Sequence, residues 1–226
     1  MMKPSRTPPT PASNGAPREA RRGRPPATEA GLVEARILDV ATNLFLELGF
    51  GRTTLDNVSA LAHTGKSAVY SRYGNKAELF GAVVQRSIQK MFEEMAQPPA
   101  NGDLECQLRH VGMELARNLL VPRCISLMRI TAAEAANFPE LAQMAYQVSF
   151  DGSVQRVLAV LEAAGALDRT AALAVAKRFV ELALQPVSFQ AAFGADYEAL
   201  RDRCLTDVDD AIGLLKAKGW LDVPPG

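Results

Sequence analysis

The stretch that decides the fold is TTLDNVSALAHTGKSAVYSRYGNKAELFGAVV, from Thr53 to Val84. Thr54 is a typical helix N-cap and predicts a short helix from Leu55 to about Ala62. His63-Thr64-Gly65 predicts a turn, since histidine and glycine tolerate positive φ. A second short helix follows from about Lys66 to Tyr73, and this order is a helix-turn-helix pattern. The side chains expected in the core are Leu55, Val58, Leu61, Ala62 and Val69.

Longer helices flank this motif. Apolar residues recur at three- and four-residue steps between Leu32 and Leu48, which predicts an amphipathic helix that ends at Gly49 in a left-handed conformation. Asn75 and Glu78 have the spacing of a capping box, and they predict a fourth helix that ends before the Pro98–Gly102 segment.

The rest of the chain has helical periodicity and no alternating strand pattern, so the predicted fold class is all-α. Residues 1–28, which hold seven of the 14 prolines, are expected to be a disordered basic arm. We assign 29–80 to an N-terminal domain that contains the helix-turn-helix and 81–226 to a helical body. The predicted body helices span about 103–118, 122–136, 139–164, 170–190 and 196–218.

Composition narrows the functional classes. The chain has 226 residues with 25 basic and 25 acidic side chains, but residues 1–30 carry six basic groups against two acidic ones. The longest charge-free stretch, Leu182–Ala195, is interrupted by polar residues and is shorter than the ~18 apolar residues of a membrane span. No secretory signal is visible, so a cytoplasmic location is expected. The three cysteines are interpreted as reduced packing residues rather than a disulfide framework.

Enzyme classes find little support. The only histidines, His63 and His110, lie in a turn and alone on a helix, and the sequence has no nucleophile elbow, phosphate loop or zinc spacing. We therefore expect no catalytic residue, no metal and no cofactor.

Several motifs that occur together make the N-terminal third of the sequence specific enough to compare with a known protein family. They are Phe50, Thr54, Lys66-x-x-x-Tyr70, Tyr73 and Asn75-Lys76-x-Glu78-Leu79-Phe80. Together, residues 32–84 resemble the DNA-binding domain of TetR/AcrR-type transcriptional regulators. The turn departs from the family, which usually has Gly-Val-Ser where His63-Thr64-Gly65 stands here, although Gly65 remains an acceptable cap.

The resemblance implies a second helix that enters the major groove of double-stranded DNA, with flanking donors on phosphates. Tyr70 and Tyr73 also have an interpretation as core aromatics, Lys76 as a solvated helix-end charge and Arg72 as a solvent-facing side chain. The implied phosphate donors are Thr54, Tyr70, Tyr73 and Lys76. The implied base-edge positions are Lys66, Ser67, Ala68, Ser71 and Arg72.

The arm adds a possible minor-groove element. Arg21, Arg22 and Arg24 surround Gly23 and precede Pro25, as in extended arginine hooks that follow a narrow A·T groove. The alternative is a tail that only increases solubility.

For the body, the resemblance implies a homodimer on a palindromic operator and a small-molecule effector, expected to be apolar. Two apolar stripes on the 170–190 and 196–218 helices suit either a four-helix dimer interface or an intramolecular seam. The stripes are Leu173, Ala176, Val180, Ala183, Leu184 and Val187, and Tyr197, Leu200, Cys204, Val208, Ile212 and Leu215. The candidate effector residues, which core packing explains equally well, are Met113, Met128, Met144, Phe150 and Phe179.

The sequence therefore predicts a sequence-specific DNA-binding regulator, expected to be a homodimeric repressor that a small molecule releases from its operator. The alternative is an α-helical protein-interaction module without DNA binding, which leaves the basic arm and the helix-turn-helix motif unexplained.

Overall fold

The computed structural model describes residues 27–99, 102–165 and 167–221, and the regular structure within these ranges is α-helical. An all-α fold with a helix-turn-helix is therefore confirmed. The helices in chain order are α1 (Ala27–Arg52), α2 (Leu55–Leu61), α3 (Lys66–Tyr70), α4 (Lys76–Glu93), α5 (Leu104–Leu119), α6 (Pro122–Ala133), α7 (Pro139–Ala164), α8 (Arg169–Ala183), α9 (Gln185–Ala192) and α10 (Tyr197–Ala217).

The helices α1 to α3 and the first half of α4 enclose one apolar core. Phe45, Val58, Val69 and Phe80 are each fully buried in it, and the rings of Phe45 and Phe80 meet edge to face at 4.8 Å. Gly49 interrupts α1 with φ 76°, a value that favours glycine, so the predicted positive φ is confirmed. This break turns the last residues of α1 toward α2.

A second core fills the body between α5, α7, α8 and α10. Gly112 of α5 lies where three helices meet: a Cβ atom there would stand 2.9 Å from Phe179 and 3.0 Å from Val208. Both neighbours are fully buried. The absence of a side chain at Gly112 is what allows these helices to approach so closely.

The helix α4 connects the two parts of the molecule. Leu79 and Phe80 near its start belong to the N-terminal core, which also takes in Leu127 of α6 and Ala145 of α7. The helix-turn-helix part of the chain is thus packed directly on the body.

The predicted helix over 170–190 is wrong, because the chain forms two helices that meet at Leu184. Pro186 stands in the first turn of α9. Proline has no N–H group and its ring clashes with the carbonyl four residues earlier, so a continuous helix cannot pass this point.

The helix-turn-helix differs from prediction in two details. The α-helix α3 ends at Tyr70, and a turn carries the chain on to Tyr73. Leu61, expected in the core, is 57% exposed. The helix α2 therefore buries a narrower face than the apolar residues of its sequence indicate.

The two stripes considered for a dimer interface lie mostly inside the chain. Leu200, Cys204, Val208, Ile212 and Leu215 of α10 are each at most 3% exposed. Ala176, Val180, Ala183, Leu184 and Val187 are buried in the same core. The intramolecular alternative is therefore correct for these faces.

The cysteines occupy three different environments. Cys204 is buried, Cys124 is half-buried and Cys106 is exposed, so the expectation of a packing role holds for Cys204 but is wrong for Cys106. Burial raises the pKa of the Cys124 and Cys204 thiols. Within the described ranges, none of the helices combines the length and the apolar character that crossing a bilayer requires.

Candidate nucleic-acid interface

The helix-turn-helix is built by local capping. The Thr54 hydroxyl accepts a hydrogen bond of 3.1 Å from the Asn57 backbone N–H and fixes the start of α2, as predicted. His63 takes a positive φ of 49° in the turn. Val69 is fully buried and anchors α3, which leaves the opposite side of this five-residue helix free to face solvent.

The exposed side of α3 is tied to the start of α2 through Asp56. The Lys66 ammonium donates to Asp56 Oδ2 at 2.7 Å, and the Tyr70 hydroxyl donates to Asp56 Oδ1 at 3.2 Å. Tyr70 is 50% exposed, so its placement does not support the core alternative. The hydrogen bond from Lys66, together with that from Tyr70, lowers the pKa of Asp56, and the same contact raises the pKa of Lys66.

The C-terminal end of α3 presents further polar groups. Arg72 is exposed and donates to the Ala68 carbonyl at 2.9 Å, as Ser71 does at 3.3 Å. Ser67 is exposed and Ala68 is half-buried. All five predicted base-edge positions are therefore at least partly exposed to solvent.

Lys76 joins the start of α4 to the segment before α2. Its ammonium donates to the Gly51 carbonyl at 3.0 Å and lies 4.5 Å from the centroid of the Phe50 ring. Asn75 accepts from the Glu78 N–H at 2.9 Å, while Glu78 accepts from the Gly74 N–H at 2.9 Å. The Asn75 cap predicted from the Asn75–Glu78 spacing is confirmed, but the return contacts of Glu78 go to the Gly74 N–H and the Asn75 side-chain amide instead of the Asn75 backbone N–H.

Two of these contacts tie α3 and α4 to the segment around the start of α2. Asp56 links α3 to the capped start of α2, and Lys76 links α4 to the Gly51 carbonyl just before Thr54. Sequence reasoning missed Arg52, which is exposed in the same connecting segment and donates to the Leu48 carbonyl at 3.0 Å. In the sequence, Arg52 could have been recognised as a candidate because it directly precedes the Thr53-Thr54 pair.

Tyr73 differs from the other predicted donors because its ring is buried, with 6% exposure. Its hydroxyl donates to Glu34 of α1 at 3.4 Å. Burial, with the neighbouring charge of Glu34, raises the pKa of Tyr73 to about 12. This placement contradicts the phosphate-donor interpretation and favours the core alternative, because the hydroxyl already serves a contact between α1 and the end of the motif.

The arginine hook of the arm, at Arg21, Arg22 and Arg24, lies outside the described residues.

An apolar cavity of about 420 Å³ lies in the body beside α4. Of the five candidate effector residues, Met128 and Phe150 line it. Phe179 instead fills the body core, Met113 packs against that core, and Met144 lies near Gly81. These three assignments are therefore wrong for this cavity. Lining residues that sequence reasoning missed include Val84, Ile88, Met91, Tyr146 and Phe189.

A helix-turn-helix with an exposed polar second helix, joined to a helical body, is the arrangement of a class of DNA-binding regulators of transcription. Comparison with protein families identifies the group. Residues 37–83 match the bacterial regulatory proteins of the tetR family, and residues 106–217 match the C-terminal domain of AefR-like transcriptional repressors. The chain belongs to the TetR family, which is a family of DNA-binding transcriptional regulators and not of enzymes.

Individual relatives agree over shorter spans. An HTH-type transcriptional regulator of Mycobacterium tuberculosis is 33% identical over 108 residues, which is 48% of this chain and 50% of the relative. The regulator TtgR of Pseudomonas putida is 32% identical over 75 residues, or 33% of this chain and 35% of TtgR. The chain thus spans at most about half the length of these curated relatives.

Solved structures share the fold over most of the chain. A TetR-family regulator from Mesorhizobium loti superposes with a TM-score of 0.70 at 18% identity, covering 82% of this chain and 97% of that one. The flavonoid-responsive regulator FrrA has a TM-score of 0.64 at 23% identity over 83% and 97% of the two chains. The SmeT–triclosan complex has a TM-score of 0.58 at 22% identity over 81% and 91%.

Proposed function

We propose that this chain is a homodimeric repressor that binds a palindromic operator through α3 and leaves it when a neutral, apolar small molecule occupies the body cavity. The observation that supports the proposal is the set of contacts that tie the exposed side of α3 to the Thr54-capped start of α2, and Lys76 of α4 to the Gly51 carbonyl just before it. In this proposal residues 29–80 form the reading domain and residues 81–226 the effector and dimerisation domain.

The proposed DNA contacts divide by function. Thr54, Tyr70, Lys76 and the newly recognised Arg52 contact phosphates, which positions the protein without reading sequence. Arg72 and Lys66 supply donors for guanine edges, and the Ala68 methyl suits a thymine methyl. Ser67 and Ser71 offer hydroxyls to either base or phosphate. Tyr73 is left out of the contact set because of its burial.

A substitution pair tests this division. Lys76→Ala should weaken binding to all duplexes by a similar factor, because a phosphate contact is present on any sequence. Arg72→Ala should instead change the base preference at one position of each half-site, with a loss of about 1–3 kcal/mol on the preferred base. Both are measured by fluorescence titration on a duplex that the wild type enriches from a random library, and on an unrelated duplex.

Lys177→Ala is the matched control, since Lys177 is an exposed lysine on α8 in the body. It should leave both affinities unchanged. Equal losses for Lys76→Ala and Arg72→Ala on every duplex would reject the division into positioning and reading residues. Because Lys76 also contacts Gly51 and Phe50, thermal unfolding of each variant must first establish that the fold is intact.

The cavity supports the effector part of the proposal through its chemistry. Among the described residues that line it, none carries a charged side chain, and the polar groups are hydroxyls, a thiol and the amide of Gln185. Burying an unpaired charge in such a site is costly, so a neutral ligand with few hydroxyl groups fits best. The relatives named for flavonoid response and for a triclosan complex respond to or bind aromatic compounds of this kind. Triclosan and a flavonoid are therefore suitable first probes.

The helix α4 offers a path from ligand to DNA. Its first residue is Lys76, whereas Val84 at its midpoint and Ser87, Ile88 and Met91 in its second half line the cavity. A ligand that displaces the second half of α4 also displaces the first, because the helix is continuous. Release of the operator then follows from a preference of the ligand for the displaced arrangement.

A homodimer is proposed because one five-residue reading helix offers little contact surface, and a twofold protein reads a twofold operator. The rings of Phe189 and Phe193 on α9 are 66% and 78% exposed and lie 4.7 Å apart, which supports this face as the contact with a second copy. Light scattering should give twice the chain mass of 24.3 kDa. The same measurement on a Phe189→Ser, Phe193→Ser variant should give a monomer.

For the arm, we propose that Arg21, Arg22 and Arg24 enter the minor groove beside each half-site. Replacing all three by alanine should weaken sites with A·T flanks more than sites with G·C flanks. Equal affinity on the two flanks would leave the arm as a solubility tail.

A further inference from the structure

Asp56 stands on the surface proposed to face DNA, where a negative charge is electrostatically unfavourable next to phosphates. Its carboxylate is shared by two proposed DNA contacts, Lys66 at 2.7 Å and Tyr70 at 3.2 Å. The side chains of Lys66 and Asp56 are 66% and 48% exposed, so DNA has access to this ion pair. A carboxylate that occupies the donors of a reading helix calls for a functional explanation.

We propose that Asp56 is a specificity-determining residue that withholds Lys66 and Tyr70 from the DNA backbone until a matching base sequence releases them. This inference rests on the proposed function, because it assumes that the exposed side of α3 reads DNA. In free protein, and on unrelated DNA, Lys66 and Tyr70 stay on the Asp56 carboxylate. On the operator they move to acceptors on the DNA.

The strength of the ion pair suits such an exchange. An exposed pair is weak and is screened by salt, so an ordered set of acceptors on DNA can replace it. A guanine edge offers two acceptors in a geometry that unrelated sequences do not repeat at the same place. Phosphates are present on every duplex, but a backbone contact made by Lys66 brings the Asp56 charge close to them as well. Asp56 therefore penalises unrelated DNA more than the operator.

The test uses Asp56→Asn in the full chain. The amide keeps the shape of the side chain but removes its charge and its ion pair with Lys66. Binding to an unrelated duplex should tighten about fivefold, and binding to the enriched duplex should change by less, so that the ratio of the two affinities falls. The salt dependence on unrelated DNA should steepen by about 0.9 for each reading head, because Lys66 now contacts a phosphate.

Asp209→Asn is the matched control. Asp209 is also exposed and ion-paired, with Arg109 of α5 at 2.6 Å, but it lies on α10 in the body. The Asp209→Asn substitution removes the same charge from the chain as Asp56→Asn does. An equal effect of Asp209→Asn on DNA binding would mean that net charge, rather than the placement of Asp56, sets the specificity, and it would overturn the inference.

A double-mutant cycle checks the route through Lys66. In a Lys66→Met background, Asp56→Asn should no longer steepen the salt dependence, because no released ammonium is available. If Asp56→Asn steepened the salt dependence as much in the Lys66→Met background as in the wild type, the proposed exchange would be contradicted.

Failure of this inference is distinguishable from failure of the proposed function. If the wild type enriches no duplex from the library, the proposed function is wrong and the inference falls with it. If the wild type prefers the enriched duplex and Asp56→Asn leaves both the affinity ratio and the salt dependence unchanged, only the inference is wrong.

Discussion

At the scale of single residues, the buried hydroxyl of Tyr73 predicts that the stability of the helix-turn-helix domain depends on pH. The ring is buried and the hydroxyl faces Glu34, so ionisation would place a second negative charge beside a carboxylate. The pKa of Tyr73 is therefore raised to about 12, compared with about 10 in an unfolded chain. The neutral hydroxyl is the form that the folded state favours.

The resulting stability has a defined pH window. Below about pH 10 the hydroxyl is neutral in both states, and the stabilisation is fully present. Between about pH 10 and 12 the unfolded chain loses this proton first, so the folded state loses roughly 2 to 3 kcal/mol of stability. We predict that Tyr73→Phe removes this part of the alkaline loss and changes stability by less than about 1 kcal/mol at pH 8.

Urea unfolding of both proteins at pH 8 and at several values between pH 10 and 12 measures this difference. Other groups also titrate there, so the relevant quantity is the change in the gap between wild type and Tyr73→Phe. A gap that stays constant as the pH rises would show that Tyr73 ionises equally easily in both states.

Tyr73 also marks the limit of sequence reasoning at this scale. The motif places an aromatic residue at position 73, but its hydroxyl contacts Glu34 of α1, which is 39 positions distant in sequence. By contrast, the caps at Thr54 and Asn75 are formed by residues three positions away. Local hydrogen bonds were therefore predictable from spacing, and the orientation of Tyr73 was not.

At the scale of elements, Gly112 and Gly213 are glycines within helices that meet opposite surroundings. A Cβ at Gly112 would meet Phe179 and Val208 at 2.9 and 3.0 Å, whereas nothing lies within 4 Å of a Cβ at Gly213. We predict that Gly112→Ala destabilises the protein by about 1–3 kcal/mol through overpacking between α5, α8 and α10. Gly213→Ala should stabilise it by up to about 1 kcal/mol, because alanine is the better helix former.

Denaturant unfolding of the two variants measures both effects with the same substitution. Equal stability changes would mean that the body relaxes around the added methyl group, so that α5 is not held tightly against its neighbours. The far-UV circular dichroism of both variants should match the wild type, since neither change interrupts a helix.

The helices themselves were largely predictable, because apolar spacing and caps are local signals. The break between α8 and α9 was missed although Pro186 stands in the sequence, since the apolar pattern continues through it. For another reason, the sequence left open what the apolar face of α10 packs against. A buried stripe has the same sequence pattern whether it packs within the chain or against a second copy, and only the packing of α5 and α8 on it decides.

At the scale of the whole molecule, the continuous helix α4 runs from the proposed DNA-facing surface to the proposed effector cavity, a connection that the sequence alone did not predict. The sequence predicted an apolar effector site, but it took three residues of the body core or surface, Met113, Met144 and Phe179, for cavity residues. Methionine and phenylalanine fill cores and line cavities alike. Which of them face empty space depends on how the six helices that line the cavity, α4 to α9, pack together.

A cavity variant tests the effector site separately from DNA binding. Ala142 lines the cavity and is half-buried, so Ala142→Phe should fill part of it and weaken triclosan binding. Ala133→Phe, at an exposed position at the end of α6, is the matched control and should bind triclosan as the wild type does. Both should bind the enriched duplex normally in the absence of triclosan, because the reading surface is untouched. Isothermal titration calorimetry measures the ligand affinities.

Thermodynamic linkage gives a stricter test of the complete proposal. If ligand in the cavity weakens operator binding by some factor, bound operator must weaken ligand binding by the same factor, because both routes connect the same four states. We expect a factor of roughly 5 to 150, the usual range for coupled sites. The ligand affinity is measured without DNA, with saturating enriched duplex, and with an equal concentration of unrelated duplex. A triclosan affinity that is identical under all three conditions, while triclosan still displaces the operator, would mean that displacement does not arise from the cavity, and α4 would then have no part in coupling the two sites.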